Sequence, residues 1–157
     1  RGGADRTRDR EGRGLAAALV LGAVGVNLGT RFLASTESPI SDKWRQAIVQ
    51  AASEDTMKLE VLNDINPLPG TVGYRTVLRS IRTPFMDEWQ GKRETARAER
   101  KRLSNEMHAA MSAGRRHEVI LTAGQSAGGI KDVLPVAQII QRMMAEAEAA
   151  LSATRRG

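Results

Sequence analysis

The chain has no cysteine, so disulfide staples and thiolate chemistry are excluded, and a reducing compartment is compatible with it. Aromatic residues are scarce: two tryptophans, two phenylalanines and one tyrosine make up 3% of the sequence. Proteins that hold nucleic-acid bases by stacking set aromatic rings within a basic surface, and the basic stretch 92–102 contains none. Long apolar runs are missing too. The best candidate, residues 15–26, is broken by Gly22 and Gly25, and the uncharged stretch ends at Arg31, which is too short for a membrane span. Behind an arginine-rich start the same stretch imitates a secretory signal, but Asp5, Asp9 and Glu11 dilute the basic region. The expectation is a cytoplasmic protein with no membrane partner.

What is present fits a single globular unit: 157 residues, 41% of them hydrophobic. The net charge of +6 is concentrated in residues 1–13, in 92–102 and in Arg155 and Arg156, and the body of the chain is slightly acidic. Within the middle cluster Glu88 stands four residues before Lys92 and Glu94 three before Arg97, spacings that suit ion pairs on a solvated helix. No nucleic-acid partner is expected. Residues 1–13 lack apolar periodicity and read as an irregular segment ahead of a folded portion, 14–157.

Residues 14–34, G-L-A-A-A-L-V-L-G-A-V-G-V-N-L-G-T-R-F-L-A, organise the rest. Leu15, Ala18 and Leu19 have helical spacing, and Gly22 is placed to end that helix in the left-handed conformation. Val24, Val26 and Leu28 then suggest a short parallel strand buried on both faces. Gly29 and Thr30 follow at the start of a new helix, 30–33. A glycine admits a ligand close to the backbone, and a hydroxyl with free first-turn amides suits a phosphate. Helix, strand and phosphate turn in that order belong to the last strands of a parallel α/β barrel. Arg31 faces either the anion or an ion pair.

Farther on, Ser41 can cap a helix over 42–53 with Trp44, Ala47, Ile48 and Ala51 on its apolar stripe. Residues 56–83 read as one or two short strands in a long excursion, and 85–113 as one helix ending near Gly114. Asp132 can cap a last helix with Pro135 in its first turn, carrying a stripe from Val136 through Ile139, Ile140, Met143, Met144 and Ala147 to Leu151. Residues 124–128, G-Q-S-A-G, fit a hydrolase nucleophile elbow. That elbow needs an acid and then a histidine after its serine, whereas His108 and His117 both precede Ser126. Neither histidine has partners at metal-ligand spacing.

The wording G-R-G-L-A-A-A-L-x-L-G-A-x-G-V-x-x-G-T-R-F-L-A resembles the closing part of the flavin-dependent nitronate monooxygenases, formerly called 2-nitropropane dioxygenases. Asp55 with Thr56, residues 79–89 (R-S-I-R-T-P-F-M-D-E-W) and residues 123–128 (A-G-Q-S-A-G) extend the likeness over nearly the whole chain. Flavin-dependent enoyl-ACP reductases share that barrel. The resemblance implies an α/β fold that is the C-terminal part of a TIM (β/α)8 barrel, mostly helical with one or two parallel barrel strands. A complete barrel takes about 250 residues. It further implies FMN as cofactor, an alkyl nitronate and dioxygen as substrates, and cofactor contacts from Gly29, Thr30, Asn27, Gln125 and Ser126. Gly2 and Gly3 would form the first half of the phosphate cradle. They stand nine residues before Gly12, farther than the family spacing, which leaves an insertion or a shifted reading frame open. The family's catalytic histidine lies on an earlier strand, so no residue here inherits it. The isolated chain is accordingly expected to be inactive, to bind FMN weakly or not at all, and to aggregate or lean on partners through uncovered apolar surface. G-Q-S-A-G becomes a loop near the flavin, beside the equally open reading of a plain turn.

Overall fold

A computed structural model describes residues 10–67 and 77–154. Eight helices and three short strands run in the order α1 (Arg10–Val20), α2 (Thr30–Leu33), α3 (Asp42–Gln50), β1 (Thr56–Lys58), α4 (Glu60–Ile65), β2 (Arg79–Ile81), α5 (Pro84–Trp89), α6 (Arg93–Ala98), α7 (Arg100–Ser112), β3 (Leu121–Thr122) and α8 (Val136–Thr154) among the described residues. Gly2 and Gly3 lie outside that range. Residues 10–13 belong to α1, so the helix begins inside the segment read as irregular.

Gly22 ends α1 as its sequence requires. Its φ of +92° is left-handed. The Ala23 amide then donates to the Ala18 carbonyl and the Gly22 amide to that of Leu19, capping the last turn. The next segment departs from expectation: residues 23–28 join no sheet, and Val24 is fully exposed at 106%. An extended apolar run becomes a strand only when neighbouring strands satisfy its amides and carbonyls, and the described residues offer it none.

The sheet that does form is antiparallel, ordered β1-β2-β3, with Met57 opposite Ser80 and Ile81 opposite Leu121. Parallel pairing among the described residues is one isolated bridge, Ser35 to Leu134, away from the expected strand, which ties the end of α2 to the approach to α8. The 85–113 stretch is three helices rather than one. Gly91 interrupts it, and the Lys92 amide bonds back to the Trp89 carbonyl. The break lets Met86, Trp89, Ala96, Leu103 and Met107 all enter one core with Val61 and Ile65 of α4. Gly114, at φ +74°, closes α7. Arg93 and Arg97, within the basic cluster, grip Asp64 at 2.6 and 2.9 Å. Burial pushes the Asp64 carboxyl up, but the hydrogen bonds from Arg93 and Arg97 outweigh it and hold the carboxyl below its usual value.

Ser41 caps α3 by accepting the Trp44 amide, and Trp44, Ile48 and Ala51 bury against Ile81, Leu121 and Ala127 in a second core. A third, smaller core joins Leu15 and Ala16 of α1 to Met143 and Ala147 of α8. Helix α8 keeps only part of its expected stripe. Ile139, Met143 and Ala147 are buried, while Ile140 and Met144 are exposed. Its cap is also not Asp132. The Val136 amide donates instead to both carboxylate oxygens of Glu37, at 3.0 and 3.1 Å.

The Thr36 hydroxyl and then the Val136 amide hold the Glu37 carboxyl below its ordinary range. A group depressed in this way favours the folded form above its unfolded pKa and loses that contribution as pH falls through its folded value. Glu37→Ala should leave α8 formed but speed amide exchange over residues 136–138. The wild-type chain should approach the variant's exchange rate as pH falls below the ordinary glutamate range. Hydrogen exchange read residue by residue checks both.

Candidate functional site

Gly29 begins α2 with φ −92° and ψ −65°, a right-handed conformation open to any residue. A Cβ built there meets nothing within 4 Å. The first amides of α2 have no intrahelical partners, as at every helix start. The buried Thr30 accepts the Gly124 amide on Oγ1 at 2.9 Å, leaving its hydroxyl proton to donate elsewhere. That bond draws the 124–128 stretch against α2. There the chain forms a 3-10 helix, Gln125–Gly129, rather than an open loop. Gly128 makes this possible, since a Cβ on it would lie 2.4 Å from Ser53 Oγ and 2.6 Å from the Ser53 amide nitrogen.

Between these elements lies a cavity of about 450 Å³, lined by Asn27, Gly29, Thr30, Gln125 and Ser126, with Glu11, Leu15, Ser53 and Ile130 among its other walls. Every candidate cofactor contact within the described residues thus faces one space. Sequence reading missed Glu11 and Ser53. Glu11 sits immediately before the G-R-G stretch, which is the only local signal for it. Ser53 has none, because its place depends on contact with Gly128 from far along the chain. His108 and His117 line no part of this cavity, and among the described residues no three His, Asp or Glu side chains group to hold a metal.

Arg31 lines the same cavity and is held there by ion pairs. Its side chain is 5% exposed, with Nη1 donating to the Asp132 carbonyl at 2.9 Å and Nη2 to Asp132 Oδ1 at 3.0 Å. Asp132 Oδ2 accepts Arg142 at 2.8 Å, Arg142 reaches Glu146 at 3.2 Å, and Glu146 Oε2 accepts the Gly12 amide at 3.2 Å. Glu11 closes the circuit, with Oε2 lying 3.5 Å from Arg31 Nε. Asp132 is thereby spent on α2 and α8, which is why it does not cap the helix that follows it. Burial pushes the Glu11 carboxyl up. Arg31 opposes that rise, and Asp132 and Glu146 add to it.

The model of the nitronate monooxygenase family matches residues 10–146 of this chain. The nitronate monooxygenase npaC of Metarhizium robertsii is 33% identical over 147 residues, covering 90% of this chain and 40% of that relative. Among solved structures, FabK of Thermotoga maritima is 31% identical with a TM-score of 0.69, over 92% of this chain and 43% of that one. The nitroalkane oxidase of Streptomyces ansochromogenes is 25% identical with a TM-score of 0.69, over 92% of this chain and 38% of its own. The chain spans about two fifths of the length of these relatives.

Proposed function

The chain belongs to the nitronate monooxygenase family, and from that premise we propose that it carries the phosphate-holding side of an FMN site in an oxidoreductase that oxidises alkyl nitronates with dioxygen. The observation that carries this reading is the single cavity shared by Asn27, Gly29, Thr30, Gln125 and Ser126. Those residues fit the phosphate end of a flavin nucleotide: a side-chain-free glycine, first-turn amides, and hydroxyl and amide groups able to donate to phosphate oxygens. Thr30 and Ser126 would hold the phosphate by their hydroxyls and Gly29 would admit it to the backbone, while Asn27 and Gln125 would offer amide groups to the rest of the nucleotide. Leu15 and Ile130 exclude water from one flank. FMN, when bound, supplies the electron acceptor for the nitronate and passes the electrons on to dioxygen. We further propose that the base acting on the substrate, and most of the flavin-ring pocket, come from strands of the barrel other than those in this chain.

A second reading, an enoyl-ACP reductase of the same barrel drawing electrons from a nicotinamide cofactor, is favoured by the 31% identity to FabK. A basic binding module is not favoured, because Arg93, Arg97 and Arg102 are already paired with Glu60, Asp64 and Glu106.

Gly29→Val tests the cavity without disturbing the fold, since Gly29 has an ordinary backbone and open space about its Cβ. The melting temperature should stay unchanged while FMN affinity, followed by flavin fluorescence, falls about tenfold or more. Riboflavin, which lacks the phosphate, should be affected less. Equal loss for both flavins would place the phosphate elsewhere.

A further inference from the structure

We propose that Glu11 is a proton-linked gate on the anion cavity: a phosphate-bearing ligand entering beside Gly29 and Thr30 places a proton on Glu11. The inference rests on reading that cavity as the seat of the FMN phosphate, and goes beyond it to say what the wall does when the anion arrives. The ion-pair circuit sets three carboxylates, Glu11, Asp132 and Glu146, against two guanidiniums, Arg31 and Arg142. Two of the three acids are well served. Asp132 is shared between both arginines, and Glu146 takes Arg142 and the Gly12 amide. Among the described residues Glu11 has one ion pair, at 3.5 Å, and the buried Arg31 Nε facing it makes no hydrogen bond.

Among the described residues Glu11 is also the one acid that lines the large cavity, and with Arg31 it lines a smaller polar recess of about 20 Å³ as well. Among the described residues the charged groups that face it are Arg31 from α2, Asp132 from the segment before α8, and Arg142 and Glu146 from α8. Burial already disfavours its charged form. A phosphate group brings between one and two further negative charges, and like charges in one small space cannot all stay ionised. The proton comes from solvent onto a Glu11 carboxylate oxygen, and nothing is oxidised or reduced. Once neutral, Glu11 gives up its hold on Arg31, whose unpartnered Nε–H is then left to the cavity. Linkage makes the effect reciprocal: protonating Glu11 tightens the ligand by the same factor that the ligand raises Glu11.

The test follows the Glu11 carboxyl carbon by NMR in the full chain, assigned through its backbone and checked by Glu11→Gln. Its pH titration is recorded in chloride, with inorganic phosphate, with FMN and with riboflavin. Phosphate and FMN should each raise the Glu11 midpoint by about one pH unit, a roughly tenfold coupling, and riboflavin should leave it in place. An unmoved midpoint, with phosphate nonetheless shifting the amides of residues 29–31, would overturn the gate and spare the phosphate site. Unmoved amides as well would overturn both.

Discussion

Replacing Asp132 by alanine should cost the fold about 2–3 kcal/mol in chemical denaturation. The loss comes from what stays behind. Arg31 is 5% exposed and donates two hydrogen bonds to this one residue, so removing the carboxylate leaves a buried guanidinium with its carbonyl partner and Glu11 at 3.5 Å. Breaking a fully buried pair costs about 3–5 kcal/mol. Asp132 is 37% exposed, and water entering beside it softens the penalty. The asymmetric control is Arg31→Met, which fills the same space and leaves Asp132 still paired with Arg142. It should cost clearly less than Asp132→Ala. The reverse order would mean that Arg31 is held by packing and not by charge.

Gly128→Val should be nearly as damaging, at roughly 1–3 kcal/mol from overpacking, with a functional loss beyond it. The new Cβ would meet Ser53 Oγ at 2.4 Å and, less forgivingly, the Ser53 backbone nitrogen at 2.6 Å. A flexible side chain can swing aside; a backbone must shift. Gln125 and Ser126, carried on the same 3-10 helix, would move with it and reshape the cavity. A variant that unfolds at lower denaturant and also loses the preference for FMN over riboflavin is the expected result. Ser53→Gly should restore part of both, because it removes one of the two obstructions.

Features of this fold that depend on local chemistry are legible in the sequence. The left-handed Gly22 and Gly114, the Ser41 cap, the apolar stripe of α3 and the start of α2 at Thr30 each depend on a few adjacent residues. What is decided across the chain is not. Residues 24–28 have the composition of a buried strand but no strand to pair with among the described residues. Asp132 has the side chain of a cap, yet Arg31, 101 residues away, binds it first. The three-way division of residues 84–112 turns on a core that only the folded chain assembles, around Trp89, Ala96 and Leu103. The cavity shows the same division. Gly29 and Thr30 announce themselves by their order, whereas Glu11 and Ser53 enter only through the packing of α1 and of the 53–55 turn.

The unpaired segment between α1 and α2 also governs how firmly α1 is seated. Residues 21–29 make no ladder, so they act on α1 as a tether and hold it close to its place on α8. A short tether of this kind keeps its cargo at an effective concentration on the order of millimolar. The contact between Gly12, Leu15 and Ala16 and the facing side of α8 therefore needs no more than modest intrinsic affinity to stay closed. Glu11, Gly14 and Leu15 all line the cavity from this one helix. The part of the cavity wall that α1 supplies therefore depends on how that helix is seated against α8.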